Sequence, residues 1–511
     1  MEGSFWAFMP AIIAIVLALV TKQVYVSLFL GIFVGALMYV GGNPIAAMQT
    51  VYEIMSEKVG ANVPIIVFLV VLGILVILMQ KSGGAFAYGN FAEKKIKSKS
   101  GALAASAGLG CLIFVDDYFN CLTVGSVMRP VTDKFKVSHS KLAYIIDSTA
   151  APVCIIAPIS SWAAAVAGEL EGDGLMVFIK TIPFNLYAIM TILMVFALCY
   201  FKIDFGKMRK HEEIAEITGN LDAGAADGAS SVEETIVSNP NGKVRHLVIP
   251  VIVLIICCIA GMLYTGYQAD GVDNFIDAFS NCDAGLSLAI GSTFALVIIA
   301  AYYIVTKVVS FKEVTDSFTQ GFKAMVPAIL ILTFAWSISG VMGAKGGYLD
   351  AKAFVETNLA SGSFAEALMP AIFFLLACGI AFATGTSWGT FGVLVPIAVT
   401  ILGGSGTLAI MTVSATLGGA VFGDHISPIS DTTILASAGA NCNHVDHVNT
   451  QLPYAAVVAG ISFVTYIIAG LCASLGSVLS CLIMWAVALS LLVGTVFMLK
   501  YFTKKKETAK N

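Results

Sequence analysis

The chain has 511 residues, 58% of them hydrophobic and only 12% charged, with a formal net charge of −4. Soluble domains carry about a quarter charged residues, so this chain cannot clothe itself in a water-facing shell. Its small, dispersed charge also leaves no electrostatic footprint for nucleic acid. Nearly uncharged runs of 16 or more residues recur along the sequence. Each is long enough to cross a hydrocarbon core of about 30 Å as a helix, which reads as an all-α polytopic membrane protein with the lipid bilayer as its solvent.

The first run, residues 5–20, has no Lys or Arg ahead of it and reads as a retained span, not a cleavable signal peptide. Further spans are expected at 24–40, 62–80, 142–168, 174–200, 246–266, 284–305, 324–342, 407–438, 452–475 and 478–500, making eleven. Two other apolar stretches, 101–128 and 365–403, read as re-entrant hairpins because both ends of each fall on one side. Cytoplasmic loops collect Lys and Arg. With the N-terminus outside and the C-terminus in the cytoplasm, Lys58, Lys345 and Lys352 lie outside, Lys180 lies in a span, and all other Lys and Arg are cytoplasmic. The expected location is the plasma (inner) membrane, with the first hairpin opening inward and the second outward. The outer loops are then acidic, with Glu169, Glu171, Asp173, Asp270, Asp273, Asp277 and Asp283. Residues 202–245, rich in Glu, Ala, Gly and Ser, read as a mobile cytoplasmic linker. The eleven cysteines lie mostly in apolar runs and predict no disulfide.

Prolines expose an internal repeat. Pro10, Pro64, Pro130, Pro158 and Pro183 are spaced by 54, 66, 28 and 25 residues, and Pro250, Pro327, Pro396, Pro428 and Pro453 by 77, 69, 32 and 25. The spans give the two copies opposite orientation, which is the architecture of secondary transporters. The repeats are expected at 1–201 and 246–475, separated by the linker at 202–245, with 476–511 left as an extra helix and basic tail. The first contains the hairpin at 101–128 and a broken helix at 142–168; the second contains the hairpin at 365–403 and a broken helix at 407–438.

An ionisable residue inside a span marks a pathway, because it costs several kcal/mol unless paired or hydrated. Such residues fall in matched places: Asp116 and Asp117 in the first hairpin, Asp147 in the first broken span, and Asp424, His425 and Asp431 in the second. The hairpins interrupt their apolar runs with polar groups, Asn120 in one and Thr384, Thr386 and Ser387 in the other. The broken spans add Ser148, Thr149, Ser160, Ser427, Ser430 and Thr432 around their prolines, where the helix should unwind and its freed carbonyls and hydroxyls face a cation. The expected Na⁺ ligands are Asp117, Ser148, Thr384, Asp424 and Asp431, with His425 titrating near neutral pH. Trp162 and Trp388, beside the two polar centres, could wall an organic substrate or serve packing. Cys442, His444 and His447 lie in an expected cytoplasmic turn and lack a complete metal-ligand geometry, so a metallohydrolase ranks last. No GxxxxGK[ST] cradle is present, so ion gradients, not ATP hydrolysis, are the expected energy source.

The strings Gly423-Asp-His-Ile-Ser-Pro-Ile-Ser-Asp-Thr-Thr433, Gly385-Thr-Ser-Trp-Gly-Thr390 and Thr450-Gln-Leu-Pro-Tyr454 resemble those of the NhaC family of Na⁺/H⁺ antiporters in the ion transporter superfamily. The likeness covers essentially the whole chain. It implies a non-enzymatic, sodium-coupled transporter without a cofactor beyond its coupling ions, Na⁺ and H⁺. It also implies a homodimer whose hairpins and broken helices move against a scaffold like an elevator. Antiporter members of the family often carry Lys where this chain has His425. That departure sets uptake or exchange of a small organic solute, an amino acid or carboxylate, beside Na⁺/H⁺ exchange. A passive channel is the remaining alternative, and the repeat argues against it.

Overall fold

The computed structural model describes residues 4–21, 23–170, 174–222, 239–268, 272, 274, 278, 282–342, 348–351, 364–403 and 406–508. Lys345, Lys352, Glu171, Asp173, Asp270, Asp273, Asp277 and residues 223–238 of the expected linker lie outside the described residues. Every regular element described is helical. A 3₁₀ turn at Phe5–Phe8 leads into α1 (Met9–Thr21), α2 (Val24–Tyr39), α3 (Pro44–Ala61), α4 (Val63–Lys81) and α5 (Gly84–Lys95). Then come α6 (Lys99–Leu112), α7 (Asp117–Lys134), α8 (His139–Thr149), α9 (Ala151–Cys154), α10 (Ser161–Glu169), α11 (Gly174–Thr181), α12 (Leu186–Phe201) and α13 (Gly206–Thr218). The second half holds α14 (Arg245–Gly266), α15 (Ala284–Val305), α16 (Phe311–Met342), α17 (Phe364–Ala367), α18 (Met369–Thr384), α19 (Ser387–Leu402), α20 (Thr407–His425), α21 (Asp431–Ala440), α22 (His444–Leu471) and α23 (Ser477–Thr508).

Among the described residues seven helices are long and apolar enough to cross a membrane, or nine if each of two bent pairs counts as one span. Eleven spans were expected, and the difference lies in broken or short segments. The span expected at 142–168 is divided among α8, α9 and α10, and the one at 174–200 is interrupted by a 3₁₀ turn at Ile182–Phe184 around Pro183. Helices α3 and α5 were not expected at all. The chain bends by 117° between α2 and α3, where Gly41 (φ 69°) and Gly42 (φ 93°) take left-handed conformations that a side chain would strain. Asn43 then caps α3 by accepting from Ile45 N at 3.1 Å and Ala46 N at 3.3 Å. α16 bends by 42° at Pro327, which removes a helix donor.

Two groups of helices emerge from the packing. In one, α1 lies on α2, α2 on α3, α4 on α15 and α16, α14 on α15, and α16 across α2 and α3. In the other, α6, α7 and α8 pack mutually, α18 and α19 pack on α20, and α22 and α12 lie against α20. Helix α21 joins the second group by packing on α7 and α8. The α7–α21 crossing is close because Gly125 and Gly439 face each other. A Cβ built on Gly125 would lie 2.4 Å from the Gly439 carbonyl carbon. Pro130 and Pro396 sit inside helices, α7 and α19. Pro158 and Pro428 both sit in a non-helical break.

The first part of the expected linker is not a loose tether. Its helix α13 packs on α8 and α22 and is fixed there by side chains. Glu212 Oε1 accepts from Ser138 N at 2.8 Å and Ser138 Oγ at 2.6 Å, while its Oε2 pairs with Lys99 Nζ at 2.8 Å. Asp204 pairs with the buried Lys141. His139 joins three segments, with Nδ1 2.8 Å from Asp222 and 3.1 Å from Asn441 O, and Nε2 3.1 Å from Asp133. The charged groups were legible in the sequence as a polar stretch, but not their partners at the start of α6 and around the start of α8.

His139 precedes the apolar segment. Burial alone favours its neutral ring, but Asp133 and Asp222 outweigh it and hold the pKa above the usual 6.5. A raised folded-state pKa contributes stability that is complete below the ordinary value and lost as pH rises through the raised one. Amide exchange in α13, corrected for intrinsic rate, should therefore be slower near about pH 6 than near about pH 8. Equal protection at both values would show that His139 does not hold α13.

Candidate functional site

Four interruptions of helix form the centre of the second group: residues 113–116 between α6 and α7, 155–160 between α9 and α10, 385–386 between α18 and α19, and 426–430 between α20 and α21. Each is closed by a side-chain cap on the following helix. Asp116 Oδ1 accepts from Phe119 N at 3.0 Å, Ser160 Oγ from Ala163 N at 3.0 Å, Thr386 Oγ1 from Gly389 N at 3.3 Å and Ser430 Oγ from Thr433 N at 3.2 Å. These four expected ligands thus devote an oxygen to holding helix ends. The two breaks of the second half touch at Gly385 (φ 68°), where a Cβ would lie 2.4 Å from Ile429 O.

Within this frame, Asp424 on α20 is 2% exposed and receives two hydroxyls on Oδ2. Ser387 Oγ approaches from the start of α19 at 3.2 Å and Thr432 Oγ1 from α21 at 3.0 Å. Thr433 Oγ1 lies 3.3 Å from Asp424 O and 3.2 Å from Asp147 Oδ2, linking the two carboxyl-bearing residues. Asp147, fully buried on α8, also accepts from Gln451 Nε2 at 2.6 Å, and that amide reaches His425 O at 2.8 Å. His447 Nε2 stands 3.4 Å from Asp147 Oδ2. His425 turns its Nδ1 to the Tyr187 hydroxyl at 2.9 Å. Asp117 starts α7 and accepts the Trp162 indole N–H at 2.9 Å. Asp116, Asp117, Asp147 and Asp424 all lie within electrostatic range of Cys121 on α7, so carboxylates from both halves converge.

Other expected ligands turn elsewhere. Thr149 Oγ1 donates to Ile145 O at 2.7 Å, Ser427 Oγ to Phe382 O at 2.8 Å and Thr384 Oγ1 to Ile380 O at 2.8 Å. Ser148 is within hydrogen-bonding reach of the Tyr144 hydroxyl. Thr384 lines a void of about 10 Å³ with Ala14, Leu28 and Val393, room for about one water. Asn120 Nδ2 lies 2.7 Å from Gly110 O and 2.9 Å from both Ile113 O and Thr149 O, tying α7 to α6, to the break between them and to α8. Its Oδ1 has no protein partner. Trp162 packs with Trp388 at 5.6 Å and Phe391 at 5.2 Å between ring centroids. Asp431 opens α21, and its side chain is outside the described residues.

Gln451, Thr433 and Tyr187 were not among the expected ligands, and His447 was assigned to a cytoplasmic turn. The turn is only residues 441–443; His447 lies in the first turns of α22 and is fully buried. A helical reading from 444 would have put His447, Gln451 and Tyr454 on one face, at spacings of four and three. No group of three or more His, Cys, Asp or Glu side chains suited to a metal ion occurs among the described residues.

A family model described as the Na⁺/H⁺ antiporter family matches residues 171–471. An uncharacterized protein of Haemophilus influenzae is 39% identical over 492 residues, covering 92% of this chain and 91% of that protein. The arginine/ornithine antiporter ArcD of Halobacterium salinarum is 41% identical over 115 residues, 22% of this chain and 24% of that one. The malate-2H⁺/Na⁺-lactate antiporter of Bacillus subtilis is 34% identical over 147 residues, 28% of this chain and 30% of that one.

Proposed function

The chain belongs to the Na⁺/H⁺ antiporter family, and from that premise we propose that it exchanges Na⁺ for H⁺ across the plasma membrane, with Asp424 as the central Na⁺ ligand. The observation that carries the reading is the meeting of Ser387 and Thr432 on Asp424 Oδ2. A hydroxyl that donates to a carboxylate can rotate its proton away and offer a lone pair, so the three oxygens become a cation cradle without moving the backbone. The C-terminal ends of α18 and α20, adjoining the two breaks, add partial negative charge. Asn120 Oδ1 and Asp117 supply further oxygens from the first hairpin.

The mechanism that fits this packing is a core of hairpins and broken helices moving past the group containing α1–α4 and α14–α16, as an inverted-repeat elevator and within a homodimer. The distribution of Lys and Arg supports an N-terminus on the outside. In proteoliposomes, an inward Na⁺ pulse should drive a saturable outward movement of protons. A pulse that moves Na⁺ but no protons at any pH removes the exchanger reading.

The aromatic wall favours a second reading. Trp162, which donates to Asp117, packs against Trp388 and Phe391; such an aromatic cluster beside a carboxylate would suit an organic solute exchanged against the ion, and two partial relatives bear names of that kind. Thermal stabilisation of the purified protein by malate, lactate, arginine or ornithine, but not by Na⁺ alone, would favour it.

A further inference from the structure

Beyond the Na⁺ cradle the buried centre holds a second site that the cradle does not use. We infer that His447, held against Asp147, is the carrier of the exchanged proton, on a site separate from the Na⁺ ligands. The inference rests on the exchanger reading above. Both residues are fully buried, with His447 Nε2 3.4 Å from Asp147 Oδ2. That long contact is all Nε2 makes, and neither His447 Nδ1 nor Asp147 Oδ1 has a hydrogen-bond partner. Buried polar atoms are otherwise almost always well paired, so two orphaned positions beside one long carboxylate–imidazole contact call for a function. A proton meets that need: on Nε2 it makes a charged hydrogen bond to Asp147, and without it Gln451 and Thr433 still hold the carboxylate.

The same contacts supply the coupling. Gln451 Nε2 reaches both Asp147 Oδ2 and His425 O, and Thr433 Oγ1 reaches both Asp147 Oδ2 and Asp424 O. A change at the C-terminal end of α20, where Asp424 and His425 offer these carbonyls, is therefore felt at Asp147 through two side chains. Charge adds to it, since an imidazolium beside Asp147 and a Na⁺ on Asp424 repel in a low-dielectric centre. The titratable groups facing His447 are Asp147 from α8 and His425 from α20; Cys442, just ahead of its own helix, meets its backbone, and α21 presents Thr433 to the same carboxylate. Each half of the cycle then carries one cation: the proton leaves Nε2 as Na⁺ arrives and returns as Na⁺ departs.

The test reads radiolabelled Na⁺ counterflow and the Na⁺-driven pH change on the same proteoliposomes of the full chain. His447→Gln should keep counterflow, lose the pH change by roughly tenfold or more, and make the remaining flux independent of pH. A His447→Gln protein with both signals intact overturns the inference while leaving the exchanger reading standing. If the variant loses both signals, NMR of the wild-type protein with nitrogen-labelled histidine decides. A His447 ring that gains a proton when Na⁺ is withdrawn supports the assignment; a ring in the same state with and without Na⁺ overturns it. Wild-type protein that moves Na⁺ without protons overturns both readings.

Discussion

Asp424→Asn is expected to abolish Na⁺-driven transport to within about a hundredth of the wild-type rate, with the protein still folded. Asn keeps the shape of the side chain and a carbonyl oxygen that can accept from Ser387 or Thr432, so the break between α20 and α21 retains its geometry. What disappears is the charge. A hydrogen bond to a charged group contributes about 1.5–3 kcal/mol against about 0.5–1.5 for a neutral one; a cation site that loses its one formal charge loses several such increments, and about 3 kcal/mol corresponds to roughly a hundredfold in affinity. Initial rates of Na⁺ uptake in proteoliposomes measure the loss, and a thermal melt of the same preparation checks the fold. Uptake within about threefold of wild type would place the cation on another carboxylate.

The second large effect is on assembly of the core. Gly125→Val puts a branched side chain where a bare Cβ already falls 2.4 Å from the carbonyl carbon and 2.6 Å from the Cα of Gly439. Both obstacles are backbone and cannot swing aside, so α7 and α21 must part. Overpacking commonly costs about 1–3 kcal/mol, and this crossing should reach the upper end or beyond, because Asp117 and Thr433 ride on the same two helices. The expected outcome is a clear fall in melting temperature together with loss of transport. Gly108→Ala and Gly460→Ala serve as controls, since a Cβ at either meets nothing within 4 Å; both should melt at or slightly above the wild-type temperature. A Gly125→Val protein as stable as the controls would mean that the two helices do not cross as described.

Much of this was readable in the residues. The low charge and the repeated apolar runs gave the class, and buried Asp117, Asp147 and Asp424 gave the polar centre, because acids survive among apolar residues only where something pairs or hydrates them. The interruptions at 113–116 and 385–386 were legible too, from Asp and Thr-Ser strings set inside apolar stretches. What composition cannot disclose is direction. Ser148, Thr149 and Thr384 had the right chemistry and the right neighbourhood, yet their hydroxyls turn to Tyr144 or to the carbonyl one turn back. That back-bonding is the common fate of a hydroxyl on a helix.

His447 illustrates the opposite error. Surrounded by Cys442, His444 and Asp446 it looked like part of a polar turn, whereas α22 begins early enough to carry it inward. The polarity of residues 202–222 was likewise misleading, since Glu212 and Asp204 face basic partners from the first half instead of water. In both places the partner lay far away in the chain, and pairing across such distances leaves no local periodicity.

The cation cradle itself is tested most directly by locating an ion. An anomalous difference map from protein equilibrated with Tl⁺, a heavy surrogate for Na⁺, should show a peak within coordinating reach of Asp424 Oδ2, Ser387 Oγ and Thr432 Oγ1 that fades as Na⁺ is added. A peak that Na⁺ displaces from elsewhere, with none beside Asp424, would contradict it.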